Sequence, residues 1–260
     1  MNYTVLTLFP EMIRAYMQSS IMGRAVESGL IGLDVIDIRD YACNKHNRVD
    51  DYPYGGGAGM VIEAEPVYKA CKAARDLRPD ESGRIIYLSP IGRTFDQEIA
   101  KELSKEDNLI FLCGHYEGID ERALEEEVDD YISLGDFVLT GGELPALAVM
   151  DAVSRLVPGV LSNDESAGDE SFENGLLEYP QYTRPEVFMD RKVPEILLSG
   201  HHANIARYRL GMSLVRTLRH RPDMLEGMKL TKEIKKAIDM IKELKELTDD
   251  EAKELERILK

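Results

Sequence analysis

The sequence predicts an α/β fold, with a mostly parallel sheet over about residues 1–160 and a small helical domain after it. Three observations support this. Short apolar strands alternate with amphipathic helices up to residue 160, the pattern of a parallel sheet with crossover helices. An acidic, polar stretch then interrupts the pattern. Beyond that stretch the apolar residues keep helical spacing only.

The elements of the first part follow from local patterns. The predicted strands are Val5–Leu8, Leu33–Ile38, Arg84–Leu88 and Leu109–Cys113. The last of these is apolar almost throughout, as in a strand buried on both faces. The predicted helices are Glu11–Met17, Pro66 to about Ala74, a helix through Leu103, a helix ending near Val128, and Pro145–Leu156. Thr94 with Gln97 matches a capping box, and Asp120 matches an N-cap.

The second part begins with residues 162–175, which read as a flexible interdomain linker because they are small, polar and acidic. A helix is predicted from Asn204 to about Leu218, and an amphipathic pair follows, the last helix capped by Thr248 and Glu251. The expected domains are therefore residues 1–161 and 176–260, joined by that linker.

Composition limits the class of protein. With 43% hydrophobic and 31% charged residues, the 260-residue chain has the make-up of an ordinary globular protein. Its net charge of −16 argues against indiscriminate nucleic-acid binding but allows a local basic patch. Three cysteines without metal-ligand spacing indicate a reducing cytosol. No apolar segment reaches membrane-spanning length and no signal peptide is recognisable, so a cytoplasmic location without membrane contact is expected.

Glycine loops mark the candidate ligand site. The stretch Ile132–Pro145 contains Gly135, Gly141 and Gly142, and glycine lets a backbone turn sharply or approach a ligand closely. Similar loops occur at Tyr54–Met60 and Cys113–Arg122. In an open α/β sheet, loops at the carboxyl ends of strands converge on one crevice. The usual phosphate-binding glycine motifs are absent, so the expected ligand is nucleotide-like and held mainly by backbone groups.

A basic segment lies between His201 and Pro222 and contains no Asp or Glu. Its arginines are Arg207, Arg209, Arg216, Arg219 and Arg221. A phosphate-binding surface is favoured here over a solvated helix face whose arginines pair with acids elsewhere in the fold. Lys45, His46 and Arg48, in the first long loop, would extend that surface.

Five motifs, in this order, resemble one known family. They are Asp50-Asp-Tyr-Pro-Tyr-Gly-Gly-Gly-Ala-Gly-Met60, Tyr87-Leu-Ser-Pro-Ile-Gly-Arg93, Cys113-Gly-His-Tyr-Glu-Gly-Ile-Asp-Glu-Arg122, Leu134-Gly-Asp-Phe-Val-Leu-Thr-Gly-Gly-Glu-Leu-Pro145 and Tyr182-Thr-Arg-Pro-Glu-Val187. The family is that of the bacterial tRNA (guanine-N1)-methyltransferases (TrmD) of the SPOUT superfamily. The resemblance covers about residues 1–225, and Leu198-Ser-Gly-His-His202 also fits.

The resemblance implies a SPOUT-type methyltransferase domain with a trefoil knot, a helical tRNA-binding domain, and a homodimer with its active site at the interface. S-adenosyl-L-methionine would be the methyl donor. Its pocket would be formed by Tyr87, Leu88, Ser89, Pro90, Gly114, Tyr116, Glu117, Ser133, Leu134, Gly135, Asp136, Phe137, Val138, Leu139, Gly141, Gly142 and Pro145. The tRNA contacts would include Lys45, His46, Arg48, Arg184, Ser199, Arg209 and Arg216.

The implied substrate is the tRNA guanosine immediately 3′ of the anticodon, preceded by another guanosine. The family uses a linker carboxylate as general base, at the position of Glu170 here, where its usual residue is Asp; the neighbouring Asp169 is the alternative. Arg155 corresponds to the arginine that stabilises O6. Magnesium dependence is known in the family, although no metal-ligand spacing occurs in this sequence. A noncatalytic RNA-binding or adenosylmethionine-sensing protein with the same fold is the alternative function.

Overall fold

The N-terminal half of the chain is organised by a parallel sheet. Its strands are β1 (Asn2–Thr7), β2 (Gly32–Asp37), β5 (Arg84–Thr94), β6 (Asn108–Leu112) and β7 (Asp130–Ser133), and β3 (Asp50–Asp51) and β4 (Val61–Ile62) form a separate antiparallel pair. The five strands lie in the order β2-β1-β6-β5-β7, and every neighbouring pair is parallel. The computed structural model describes residues 1–79, 83–161 and 170–259, and the chain divides into two compact units between residues 162 and 163.

Helices cover both faces of the sheet. They are α1 (Pro10–Met17), α2 (Ser20–Glu27), α3 (Ala64–Asp76), α4 (Gln97–Leu103), α5 (Glu121–Glu127) and α6 (Glu143–Ser154). Strand β6 shows the arrangement: Phe111 packs with α1, α2, α4 and α6 in one apolar cluster, and Ile110 packs with α3 and α5 in another. Every residue of β6 is buried, as its apolar sequence predicts.

The predicted parallel α/β fold is confirmed, and several element boundaries differ. Thr94 does not cap α4, because it continues β5; the cap is Asp96, whose side chain accepts a 2.9 Å hydrogen bond from the amide of Ile99. Pro66 and Pro145 lie two residues inside their helices, where the first-turn N–H groups have no partner within the helix in any case. The short helix α2 has no counterpart among the predicted elements.

The C-terminal unit is mainly helical. It contains the hairpin strands β8 (Val187–Phe188) and β9 (Arg191–Lys192), followed by α7 (Glu195–Leu198), α8 (His202–His220), α9 (Lys232–Glu243) and α10 (Asp249–Ile258). Thr248 and Glu251 form the predicted capping box of α10. Gly211 lets α8 and α9 approach closely, since a Cβ there would lie 2.4 Å from the Cγ2 of Ile241.

Residues 170–178 begin this unit with a hydrogen-bonded turn. The amide of Phe172 donates to the carbonyl of Leu176 at 2.9 Å, and the amide of Glu178 donates to the hydroxyl of Ser171 at 2.9 Å. The part of the predicted linker that the structure describes is therefore tied to the C-terminal unit. Among the described residues, no helix is both long and apolar enough to cross a membrane.

Candidate active site

A pocket lies where β5, β6 and β7 end, because the carboxyl ends of neighbouring parallel strands meet at one edge of a sheet. Its volume is about 240 Å³. The wall consists of Tyr87, Leu88, Ser89, Pro90, Gly114, Tyr116, Glu117, Ser133, Leu134, Gly135, Phe137, Val138, Leu139, Gly141, Gly142 and Pro145, together with His115, Gly118, Ile132 and Thr140. Asp136 belongs to the same loop but is not part of this wall; its side chain is exposed.

Two glycine segments close against each other at the pocket. The amide of Gly142 donates a 2.8 Å hydrogen bond to the carbonyl of Gly114, and His115 bridges to Gly141. A Cβ at Gly142 would lie 2.8 Å from the Cα of Cys113 and 3.0 Å from the amide nitrogen of Gly114. Backbone therefore packs directly on backbone here, and Gly142 is needed for this close approach rather than for a positive φ.

The turn after β7 is stabilised by the side chain of Ser133. The hydroxyl of Ser133 donates to the carbonyl of Gly135 at 3.2 Å and accepts from the amide of Gly135 at 3.1 Å. Gly135 has a φ of 139°, which favours glycine. The turn thereby directs Phe137 and the residues after it along one side of the pocket.

The electrostatics of the pocket do not suit a phosphate group. No Lys or Arg occurs among its described wall residues, which include the acidic residue Glu117. Burial raises the pKa of Tyr87 to about 12, so its hydroxyl is neutral near pH 7. Burial also raises the pKa of Cys113, which makes the thiol beside the pocket a poor nucleophile. The wall is therefore suited to a neutral or cationic ligand gripped by backbone groups and apolar contacts.

The first glycine loop, Tyr54–Met60, does not line the pocket, although the sequence suggested that the glycine loops converge. It packs behind one wall instead. The amide of Glu117 donates to the carbonyl of Met60 at 3.0 Å, and a Cβ at Gly59 would lie 2.3 Å from the Glu117 carboxylate. The loop thus positions Glu117, which does line the pocket.

Glu143 directly follows the two glycines Gly141 and Gly142 of the pocket wall. Sequence analysis assigned this residue no role. Its buried carboxylate accepts a 2.7 Å hydrogen bond from the hydroxyl of Thr7, which in turn accepts from the amide of Phe9 at 2.9 Å. This contact ties the end of β1 to the start of α6. In the sequence Glu143 resembles any acid in the first turn of a helix; the only signal is its place directly after Gly-Gly.

Comparison with known proteins identifies the family. A family model described as tRNA (Guanine-1)-methyltransferase TrmD matches residues 1–227. The chain belongs to this family. It is 58% identical over 228 residues to the tRNA (guanine-N(1)-)-methyltransferase of Lachnospira eligens, covering 87% of this chain and 95% of the relative. The protein of the same name from Lachnoclostridium phytofermentans is 52% identical over 267 residues, covering 93% and 97%.

Membership of the TrmD family makes the chain an enzyme of the methyltransferase class. A third relative supports this: the tRNA (guanine-N(1)-)-methyltransferase of Clostridium beijerinckii is 57% identical over 233 residues, covering 90% of this chain and 95% of the relative. The family assignment favours an enzyme over the noncatalytic alternative. The predicted resemblance to the family is confirmed.

The catalytic candidates belong to different units. Arg155 is the C-cap residue of α6 in the N-terminal unit and is half-buried. Glu170 is the first described residue of the C-terminal unit; it is half-buried and lines a cavity of about 350 Å³ together with His202. Asp169 lies outside the described residues. The structure thus gives each described side chain its local setting, and their catalytic roles stay predictions.

The candidate tRNA contacts form three groups. Lys45, His46 and Arg48 are exposed on a loop that Asn44 organises, its side-chain oxygen accepting from the amides of His46 and Arg48 at 3.1 Å. Ser199 is the C-cap residue of α7, and its hydroxyl donates to the carbonyl of Ile196 at 2.7 Å. Arg184, Arg209 and Arg216 form the third group, in the C-terminal unit. Arg184 and Arg209 line a second cavity there, and the exposed Arg216 donates to the carbonyl of Glu178 at 3.4 Å.

Two arginines of the basic segment have acidic partners. Arg219 donates to Glu251 at 2.7 Å, and Arg221 donates to Asp223 at 2.7 Å. The interpretation of the segment as a surface without neutralising acids is therefore wrong for these two residues, because the acids come from outside its boundaries. Among the described residues, no group of three or more His, Cys, Asp or Glu side chains is arranged to hold a metal ion.

Proposed function

We propose that this chain methylates N1 of the tRNA guanosine immediately 3′ of the anticodon, when another guanosine precedes it, with S-adenosyl-L-methionine as methyl donor. The observation that carries the proposal is the glycine-lined pocket at the strand ends, in a chain of the TrmD family. Its wall contains no Lys or Arg among the described residues, which fits a donor that carries positive charge at sulfur and nitrogen and has no phosphate.

The residues present fit the donor. Gly114 and Gly142, whose backbones pack directly together, lie in the wall, and Leu134, Phe137 and Leu139 supply apolar surface. Glu117, whose amide is held by the carbonyl of Met60, adds the one acidic residue of the described wall, which suits a cationic ligand better than an anionic one. When bound, the donor supplies an electrophilic methyl group. The chain's own part is to fix its orientation and to keep water away from it.

The general base acts on N1 of the target guanine. N1 of guanine carries a proton and is a poor nucleophile, so a general base must remove that proton as the methyl group arrives. We assign this role to Glu170, with Asp169 as the alternative. Negative charge then moves toward O6, and we assign its stabilisation to the Arg155 guanidinium. The target base must leave its stack for N1 to become accessible.

We also propose that the enzyme works as a homodimer. Phe137 and Val138, beside the pocket, are 54% and 87% exposed in the single chain, and Leu139 and Leu144 are exposed as well. Large exposed apolar side chains at three consecutive positions are typical of an interaction surface. The trefoil knot is proposed on the family resemblance; the direct backbone contact between Gly114 and Gly142 is compatible with a chain threaded tightly at this point.

The deciding experiment uses an unmodified tRNA transcript with two guanosines at the anticodon-proximal site and donor labelled in its methyl group. Label is expected in the second guanosine, and digestion followed by mass spectrometry should place it at N1. A matched transcript with adenosine in place of the first guanosine should accept far less label. Absence of transfer at saturating donor, while the transcript still binds, would overturn the proposal.

A further inference from the structure

We infer that the C-terminal unit has a pocket for one unpaired base of the RNA substrate, built around Tyr179, Tyr182 and Arg209. The inference rests on the proposed function, since it gives the same tRNA a second point of attachment. It also gives a role to the Tyr182-Thr-Arg-Pro motif, which the methyl-donor pocket leaves unexplained. The ligand class is a nucleobase presented by a single-stranded stretch of RNA.

The cavity is large enough for such a ligand. Its volume is about 430 Å³, against about 240 Å³ for the pocket at the strand ends. Three tyrosines, Tyr179, Tyr182 and Tyr208, line it together with apolar residues of α7 and α8 such as Leu197 and Ile205. Unpaired RNA bases stack on aromatic rings of this kind.

The polar groups of the wall suit a base as well. The Arg209 guanidinium carbon lies 4.7 Å from the centroid of the Tyr179 ring, which forms a cation–π pair at the cavity. The Nε of Arg209 is buried and has no hydrogen-bond partner among the described residues. Tyr208 is only 2% exposed, and burial raises the pKa of its hydroxyl, which therefore stays protonated. Arginine planes and tyrosine hydroxyls both recognise bases by stacking and hydrogen bonding.

Charge favours RNA over an apolar peptide as the occupant. Residues 170–259 contain 16 Lys and Arg against 17 Asp and Glu, whereas residues 1–161 contain 15 against 28. In a chain of net charge −16, the C-terminal unit is therefore the part that repels phosphate least. Arg184 lines the cavity itself and can meet the phosphate attached to the bound base.

The test replaces Tyr182, which is 46% exposed and so can be changed with little risk to the fold. In the full-length enzyme, Tyr182→Ala should weaken transcript binding and raise KM for tRNA about tenfold, in line with the stacking energy of one base. Donor affinity and kcat should stay within about twofold. Tyr182→Phe should retain binding, because the ring remains. Phe188→Ala removes an exposed aromatic side chain outside this cavity in the same unit and is the matched control.

A second variant, Leu198→Trp, fills the cavity from an exposed wall position and should reproduce the loss. If neither variant changes KM for tRNA while the wild type methylates the transcript, the base pocket is refuted and the proposed function stands. If the wild type transfers no label, the proposed function itself fails. Guanosine 5′-monophosphate serves as a free-nucleotide probe: if Tyr182→Ala weakens its binding but not that of the transcript, the cavity is a nucleotide site and the RNA assignment is overturned.

Discussion

The two units of this chain form their pockets from opposite materials. In the N-terminal unit, glycines bring backbone against backbone, and the described wall has no Lys or Arg. In the C-terminal unit, three tyrosines and two arginines form the cavity with their side chains. The first pocket should therefore be sensitive to substitutions that add a side chain at its glycines. The second should be sensitive to substitutions that remove its tyrosine or arginine side chains. Most of the chain's negative charge also lies in the first unit, so the second unit should repel RNA phosphate less.

The largest expected effect is a loss of catalysis without a change in donor binding. If Glu170 is the base, Glu170→Gln should lower kcat for methyl transfer by about 10²- to 10⁴-fold. The affinity for S-adenosyl-L-methionine should not change, because Glu170 is absent from the wall of the N-terminal pocket. Single-turnover transfer and equilibrium donor binding measure the two quantities.

The matched control for Glu170 is Asp169→Asn, which removes the neighbouring carboxylate. It should leave kcat within a few-fold of the wild type. The opposite pattern, with a large loss for Asp169→Asn and little for Glu170→Gln, would identify Asp169 as the general base. Glu170 would then lack the catalytic role although it occupies the family's position in the motif.

Adding one methyl group tests the backbone-built pocket. At Gly142 a Cβ would meet the Cα of Cys113 at 2.8 Å, so Gly142→Ala should lower the free energy of unfolding by about 1–3 kcal/mol and weaken donor binding. Gly227→Ala in the C-terminal unit meets no atom within 4 Å and has only its φ of 81° against it, so about 1 kcal/mol is expected and donor binding should be retained. Denaturant unfolding and donor titration compare the two; equal donor affinity in both variants would contradict the structural account of Gly142.

Salt dependence tests which arginines meet phosphate. Arg216 is exposed and hydrogen-bonded only weakly to the Glu178 carbonyl, at 3.4 Å, whereas Arg219 is held by Glu251 at 2.7 Å. Arg216→Gln should weaken tRNA binding a few-fold and reduce the slope of log affinity against log salt by about 1. Arg219→Gln should leave that slope unchanged. A slope that changes only with Arg219→Gln would show that its ion pair opens to bind RNA.

Sequence reasoning predicted the parts of the molecule that short-range patterns specify. The buried strand β6 and the Thr248–Glu251 capping box each depend on a few neighbouring residues, and both are present. Of the three glycine loops that the sequence predicts to share a crevice, Cys113–Arg122 and Ile132–Pro145 meet at one pocket, because parallel strands end at one edge. The third, Tyr54–Met60, packs behind the wall instead.

What sequence reasoning missed depends on contacts between distant residues. The buried pair of Thr7 and Glu143 joins positions 136 residues apart. The acids that neutralise the basic segment lie beyond its end, as Glu251 does for Arg219. The cavity of the C-terminal unit likewise needs Tyr179 and Arg209 to meet across a loop and a helix. No local pattern reports such pairings.

Acid stability should show the smallest difference between the units. Hydrogen bonds from Arg219, then from the backbone of Thr248, lower the pKa of Glu251 to about 2. A lowered pKa means that the ionised carboxylate stabilises the fold above its ordinary pKa of 4.5, and that this contribution is lost as pH falls from there toward 2. Arg219→Gln should therefore make α10 open at higher pH. The pair is partly exposed, so the effect should be about 0.5 kcal/mol or less.

In the N-terminal unit, two arginines rather than one stabilise the corresponding ionised carboxylate, that of Glu102. Arg93 first, and then Arg84, lowers the pKa of Glu102 to about 2. Removing one leaves the other in place, since Arg84 still donates to Glu102 at 2.8 Å. Arg93→Gln should then shift the acid opening of α4 less than Arg219→Gln shifts that of α10. Amide hydrogen exchange of α4 and α10 between pH 5 and about pH 2 measures the two shifts. A larger shift in α4 than in α10 would mean that Arg84 alone does not replace Arg93 in stabilising the Glu102 carboxylate.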